Sequence, residues 1–102
     1  MATVKTIVAR LKALKANAPE DTQLVVTTLT PSGDVMQIVG LREEGFNIFS
    51  ADGYVDGGHC EMVAHVATLK LFCSFKSTKS PDKRPVYGFL ASLSEPQKES
   101  GQ

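Results

Sequence analysis

Between residues 68 and 76 the chain alternates without a break: Leu69, Leu71, Cys73 and Phe75 fall on one side, Lys70, Phe72, Ser74 and Lys76 on the other. Successive side chains of an extended backbone point to opposite faces, so a period of two marks a half-buried strand. No other stretch carries the pattern as strongly, and it is read as the central strand, with Leu69, Leu71, Cys73 and Phe75 as core. The strand ends a longer segment, residues 57–76, which holds both cysteines, Cys60 and Cys73, and both histidines, His59 and His65. The chain's few reactive side chains therefore sit in or beside an expected scaffold element, and the first question is whether they form a site or a core.

At 102 residues the chain is long enough for one domain with its own core. Residues 1–93 are expected to form it. Residues 94–102 contain no apolar side chain and read as a disordered polar tail. No apolar run approaches the ~20 residues that span a bilayer, so no membrane contact is expected. Lys5, Arg10, Lys12 and Lys15 interrupt any apolar stretch at the N-terminus, which argues against a secretory signal. A mitochondrial presequence would also lack acids, but would favour Arg and Ser over Lys. Two cysteines without a secretion signal point to reduced thiols and a cytoplasmic location.

The first element is a helix. Thr3 is placed to cap it, and Val4, Ile7, Val8, Leu11 and Leu14 follow at helical spacing. Pro19 disfavours helical backbone at Ala18 and ends it near Asn17. An apolar stripe of this kind needs a sheet to lie on. Residues 22–50 read as a three-strand meander: β-branched residues 22–30, a Pro31-Ser32-Gly33-Asp34 turn, residues 35–41, a polar turn at 42–45, and residues 46–49. Residues 51–58, with Asp52-Gly53 and Asp56-Gly57-Gly58, read as a glycine-rich loop. Residues 60–66 fit a strand with Cys60, Met62, Ala64 and Val66 on one face. As a helix, Met62, Val63, Val66 and Leu69 would share a face instead, and the strand is preferred because the loop before it and the clear strand after it leave little room for a helix. Residues 77–85 form a basic loop, and residues 86–93 the last strand. The expected fold is α+β, with one N-terminal helix on a five- or six-stranded, mainly antiparallel sheet.

Motifs that carry chemistry are sparse. His59, Cys60, His65 and Cys73 fall within fifteen positions, but structural zinc sites pair their ligands at short, regular spacing, and His59 and Cys60 are neighbours that point apart on a strand. His59-Cys60-Glu61 matches half of a zinc-deaminase signature whose P-C-x-x-C half is absent. Asp52 and Asp56 lack the ligand series of a calcium loop, and turn formation accounts for them. No glycine-rich phosphate loop of known pattern occurs. No catalytic residue, metal or cofactor is assigned.

The net charge is zero, but acids and bases are segregated into a basic, an acidic and a second basic block. Within the last block Lys70, Phe72, Lys76, Lys79, Lys83, Arg84 and Tyr87 combine cations with aromatics, and are taken as the candidate binding residues. Phe72 is the informative one. It shares the polar side of its strand with Lys70 and Lys76, so if the helix covers the opposite face, Phe72 is an exposed anchor for a protein, a nucleic acid or a second copy of the chain.

The opening of the chain resembles a recurrent pattern in small phage and prophage proteins of unknown function. Those begin with V-K-x-[LI]-[IV]-x-x-L-x-x-L, then a Pro/Asp turn and a valine-rich strand. Val4, Lys5, Ile7, Val8, Leu11, Leu14, Pro19, Asp21, Val25 and Val26 supply the pattern here. It covers about the first quarter of the chain and carries no catalytic residue. The resemblance implies an accessory product of a mobile element. The expected function is non-enzymatic: binding and modulating a host protein in the host cytoplasm, in host takeover or anti-defence. The alternative is a small oligomeric module that binds a nucleotide or nucleic acid through its basic loop. A homodimer is compatible with either.

Overall fold

Helix α1 spans Val4–Ala16 and starts where the sequence places it. Thr3 is extended, and its Oγ1 accepts the Thr6 N–H at 3.2 Å, satisfying one of the unpaired donors of the first turn. At the other end the Asn17 amide nitrogen donates to the Ala13 carbonyl at 2.9 Å. Val4, Val8 and Leu11 are buried and Ile7 and Leu14 half-buried, so the five-residue stripe is the packed face. The structure is a computed structural model that describes residues 3–79, 86–89 and 91–92.

Five strands form the sheet beneath the helix: β1 (Thr22–Leu29), β2 (Val35–Gly45), β3 (Ile48–Val55), β4 (Gly58–His65) and β5 (Phe72–Ser77). Their order is β4-β3-β2-β1-β5, with every neighbouring pair antiparallel. The fold is therefore α+β, one N-terminal helix packed on a five-stranded antiparallel sheet. A two-residue strand, β6 (Ala91–Ser92), pairs parallel with Gly40 and Leu41 of β2. The core lies between α1 and one face of the sheet, where Leu24, Val26, Met36, Ile38, Leu41, Phe49 and Ala51 meet the helix, with Phe89 from the C-terminal segment.

The strand expected at residues 60–66 is present as Gly58–His65, with Val66 in the turn that follows; Cys60, Met62 and Ala64 share the helix-covered face while Glu61, Val63 and His65 are exposed. Four other expectations need correction. The alternating stretch forms a strand only from Phe72, because Val66–Thr68 is a 3-10 turn. That strand is the last of the sheet rather than its centre, so Leu69, Leu71 and Cys73 are half-buried and Phe75 stays 40% exposed. The polar Arg42-Glu43-Glu44 run continues β2 instead of turning. Its Glu44 carboxylate accepts the buried Ser50 hydroxyl of β3 at 2.7 Å, and the turn falls at Phe46-Asn47, with Asn47 at φ 59°. Asp52-Gly53 likewise lies inside β3. The reversal comes at Asp56-Gly57, whose φ values of 50° and 82° are both positive, as a tight two-residue hairpin requires.

The C-terminal segment also differs from the continuous strand expected over residues 86–93. β1 and β2 pair only between Val26–Leu29 and Val35–Ile38. Beyond that the strands part, and the later residues fill the gap: Phe89 N–H donates to the Leu24 carbonyl of β1 at 2.8 Å, then β6 takes the edge of β2. Val86–Phe89 thus crosses the sheet without a ladder of its own, held by isolated bonds. Gly88 fits closely there, since a Cβ would lie 2.6 Å from the Gln23 Oε1. The expected tail at 94–102 lies outside the described residues.

Candidate functional site

α1 covers one face of the sheet, and residues 86–89 cross the other beside Tyr54 and Gln37, where Val25 and Ser50 are buried; one end of that second face is left exposed, and antiparallel register fixes what stands there. Directly paired residues share a face. Thr27 is opposite Gln37 on one side and Phe72 on the other, and Leu29 is opposite Val35. Leu29, Val35 and Phe72 therefore adjoin one another at that exposed end. They are 64%, 57% and 69% exposed. Single exposed apolar residues are ordinary, but three contiguous ones across three strands form a patch.

Beside the patch lies a groove of about 510 Å³, lined by Thr27, Leu29, Val35, Thr68, Lys70 and Phe72 among others. One wall is the segment that enters β5, pinned to β1 by the Thr28 hydroxyl, which donates to the Lys70 carbonyl at 2.7 Å. The groove's lining includes one cation, Lys70, and no acid among the described residues. Its chemistry is apolar with a positive rim.

The sequence-derived binding residues separate into groups. Lys70 and Phe72 come together at the groove. Lys76 is on the same face, opposite Gln23, but four residues along the strand, about 13 Å from Phe72 at ordinary strand rise. Lys79 turns to Asp21, with Nζ 3.2 Å from Oδ2. Tyr87 lies away from the groove: its ring stacks on Tyr54 with centroids 3.9 Å apart and planes 10° from parallel, and its N–H donates to Gln37 Oε1 at 2.8 Å. Lys83 and Arg84 lie outside the described residues. Leu29 and Val35 were missed. Their parity offered a signal, since each is one position out of phase with the buried Thr28 and Met36.

Around the Tyr54–Tyr87 stack is a second polar cluster. His59 approaches the Tyr54 ring edge-on at 5.5 Å, and its Nε2 is 3.4 Å from Asp52 Oδ1. His59, Tyr54 and Asp52 are cross-strand neighbours of the β3–β4 hairpin. His65 acts elsewhere, where its Nδ1 accepts the Ala67 N–H at 3.0 Å and caps the 3-10 turn. Cys60 and Cys73 are free thiols on the helix-covered side. Burial pushes the Cys73 thiol above its ordinary 9.0, with the Arg10 charge acting in the opposite sense. The four soft-ligand residues are thus dispersed, and no group of three or more His, Cys, Asp or Glu residues is gathered to hold a metal ion among the described residues. None of the described helices is long and apolar enough to cross a membrane.

Comparison with protein-family models, with curated proteins and with solved structures finds no match for this chain.

Proposed function

We propose that the chain is a small non-enzymatic binding protein, an accessory product of a phage or related mobile element. It acts in the host cytoplasm by docking a host protein on the surface formed by Leu29, Val35 and Phe72. The observation that carries this reading is the contiguous apolar patch on the face opposite the helix, beside a groove with Lys70 at its rim. Interfaces draw their binding energy from a few well-packed anchors, aromatic ones above all, and Phe72 has the exposure and setting of one. The matching partner surface presents apolar side chains flanked by carboxylates. The phage origin rests on the opening pattern of the chain, and modulation of the bound protein, in takeover or anti-defence, follows from that origin.

A second reading has its own support: Phe72 and Lys76 share one face of β5 and Lys70 stands just before it, and single-stranded nucleic acids are bound by cations beside exposed aromatic rings. Salt separates the two, because nucleic-acid binding weakens steeply as ionic strength rises. The test uses the immobilised wild-type chain and a Phe72→Ser, Leu29→Ser variant with the same circular dichroism. A specific protein that the wild type retains at moderate salt, and that the variant loses, is the expected result. Retention of oligonucleotides at low salt, with no variant-sensitive protein, would replace the first reading by the second.

A further inference from the structure

Among the described residues, nothing pairs with the outer edge of β4. β4 ends the strand order and runs eight residues, with its register to β3 unbroken from Ile48 opposite His65 to Val55 opposite Gly58. Edge strands of monomeric proteins are commonly blunted by lysine, proline, a bulge or brevity. β4 has no lysine, no proline and no bulge. The opposite edge, β5, carries Lys76 and leads to Lys79.

The backbone groups that β4 offers can be identified. Val55 and Gly58 close a two-residue hairpin, so that pair exchanges both its hydrogen bonds and alternate pairs repeat the pattern. Gly58, Cys60, Met62 and Ala64 therefore bond inward, and Val66 keeps the same parity, its N–H donating to the Asn47 carbonyl at 2.7 Å. His59, Glu61, Val63 and His65 turn their N–H and C=O groups outward. The His65 carbonyl already accepts the Thr68 hydroxyl at 2.8 Å, leaving it one further lone pair.

We propose that β4 pairs antiparallel with β4 of a second copy of this chain, about a two-fold axis through Val63. Outward-bonding residues must face one another, which restricts the register to steps of two. Centred on Glu61, the pairing sets two carboxylates together. Centred on Met62, it sets His59 against His65. Centred on Val63, it sets Glu61 against His65 of the second copy, twice by symmetry, and brings together the two Val63 side chains, each 62% exposed in the single chain. His65 uses Nδ1 as an acceptor within its own chain, so Nε2 carries the proton and is the donor directed to the incoming carboxylate. Met62 and Ala64 then meet across the axis on the helix-covered side. The proposal is independent of the docking surface, which lies at the other edge of the sheet.

The test is the solution mass of the full chain by analytical ultracentrifugation, from micromolar to millimolar concentration. Twice the 11.0 kDa chain mass is expected for the wild type. Val63→Lys and Glu61→Lys, both at exposed positions, are each expected to return the single-chain mass with unchanged circular dichroism. His65→Asp keeps an acceptor for the Ala67 N–H and sets carboxylates face to face, so it also separates the copies. The double variant E61K/H65D reverses both charges and is expected to restore the dimer. A single-chain mass for the wild type throughout the range overturns the proposal. So does a dimer that Val63→Lys and Glu61→Lys both leave intact, or a double variant no more associated than its parents.

Discussion

Gly53 shows how one residue can set the path of two strands. A Cβ there would lie 2.1 Å from the Gln37 carbonyl oxygen and 2.9 Å from the Met36 methyl, a contact with backbone that no rotamer change relieves. β2 slips register between Ile38 and Gly40 opposite this glycine, so the close approach and the irregularity belong together. Gly53→Ala is expected to destabilise the protein by about 3 kcal/mol, an overpacking cost at the high end of the usual range. Gly45→Ala, where nothing lies within 4 Å, is expected to change stability by less than about 0.5 kcal/mol. Urea unfolding of the two variants measures the contrast. Cys73 supplies a pH dependence. Burial holds its folded-state pKa above the ordinary 9.0, so the folded chain keeps a proton that the unfolded chain gives up. The stability this lends is intact below pH 9.0 and is lost as pH climbs through the folded value. Urea midpoints are expected to fall more steeply with alkaline pH for the wild type than for Cys73→Ala.

At the scale of elements, helix α1 was legible from end to end, because its signals are local: a capping threonine, a 3.6-residue stripe and a proline past the stop. Thr3→Ala is expected to cost about 1 kcal/mol in thermal unfolding, with Thr3→Ser close to neutral. The meander of β1, β2 and β3 was legible, but the limits of the strands and the edge position of β5 were not. Arg42-Glu43-Glu44 has turn composition, and becomes strand because Ser50 waits across the ladder for the Glu44 carboxylate. Asp52-Gly53 and Asp56-Gly57 are the same dipeptide, and nothing local tells the buried close approach from the hairpin reversal. The candidate site divides in the same way. Phe72 could be placed on the face opposite the helix from the parity of its own strand. Its neighbours Leu29 and Val35 depend on the registers of three strands, which are long-range facts. The stacking of Tyr87 was hidden for the same reason: its partner Tyr54 is more than thirty positions away.

For the molecule as a whole, the governing feature is the C-terminal segment set into the gap between β1 and β2. It brings Phe89 into the core at 2% exposure, stacks Tyr87 on Tyr54 and completes the edge of β2 at Gly40 and Leu41. A chain ending at residue 85 is expected to lose at least the ~3–5 kcal/mol that accompanies removal of one buried phenylalanine. That is a large share of an ordinary domain's ~5–15 kcal/mol, so its thermal transition should fall sharply. A synthetic peptide of residues 86–102, added in trans, is expected to raise that transition by refilling the gap, as differential scanning fluorimetry would show. A full-length melting temperature in the truncated chain would contradict the account.

The same segment imposes an order in time. Synthesis runs from the N-terminus, so α1 and the strands through β5 leave the ribosome while the gap between β1 and β2 is still unfilled. Leu24 and the far half of β2 must wait for residues made more than forty positions later. The newborn chain is therefore an open sheet with its seam exposed until residues 86–92 follow and close it.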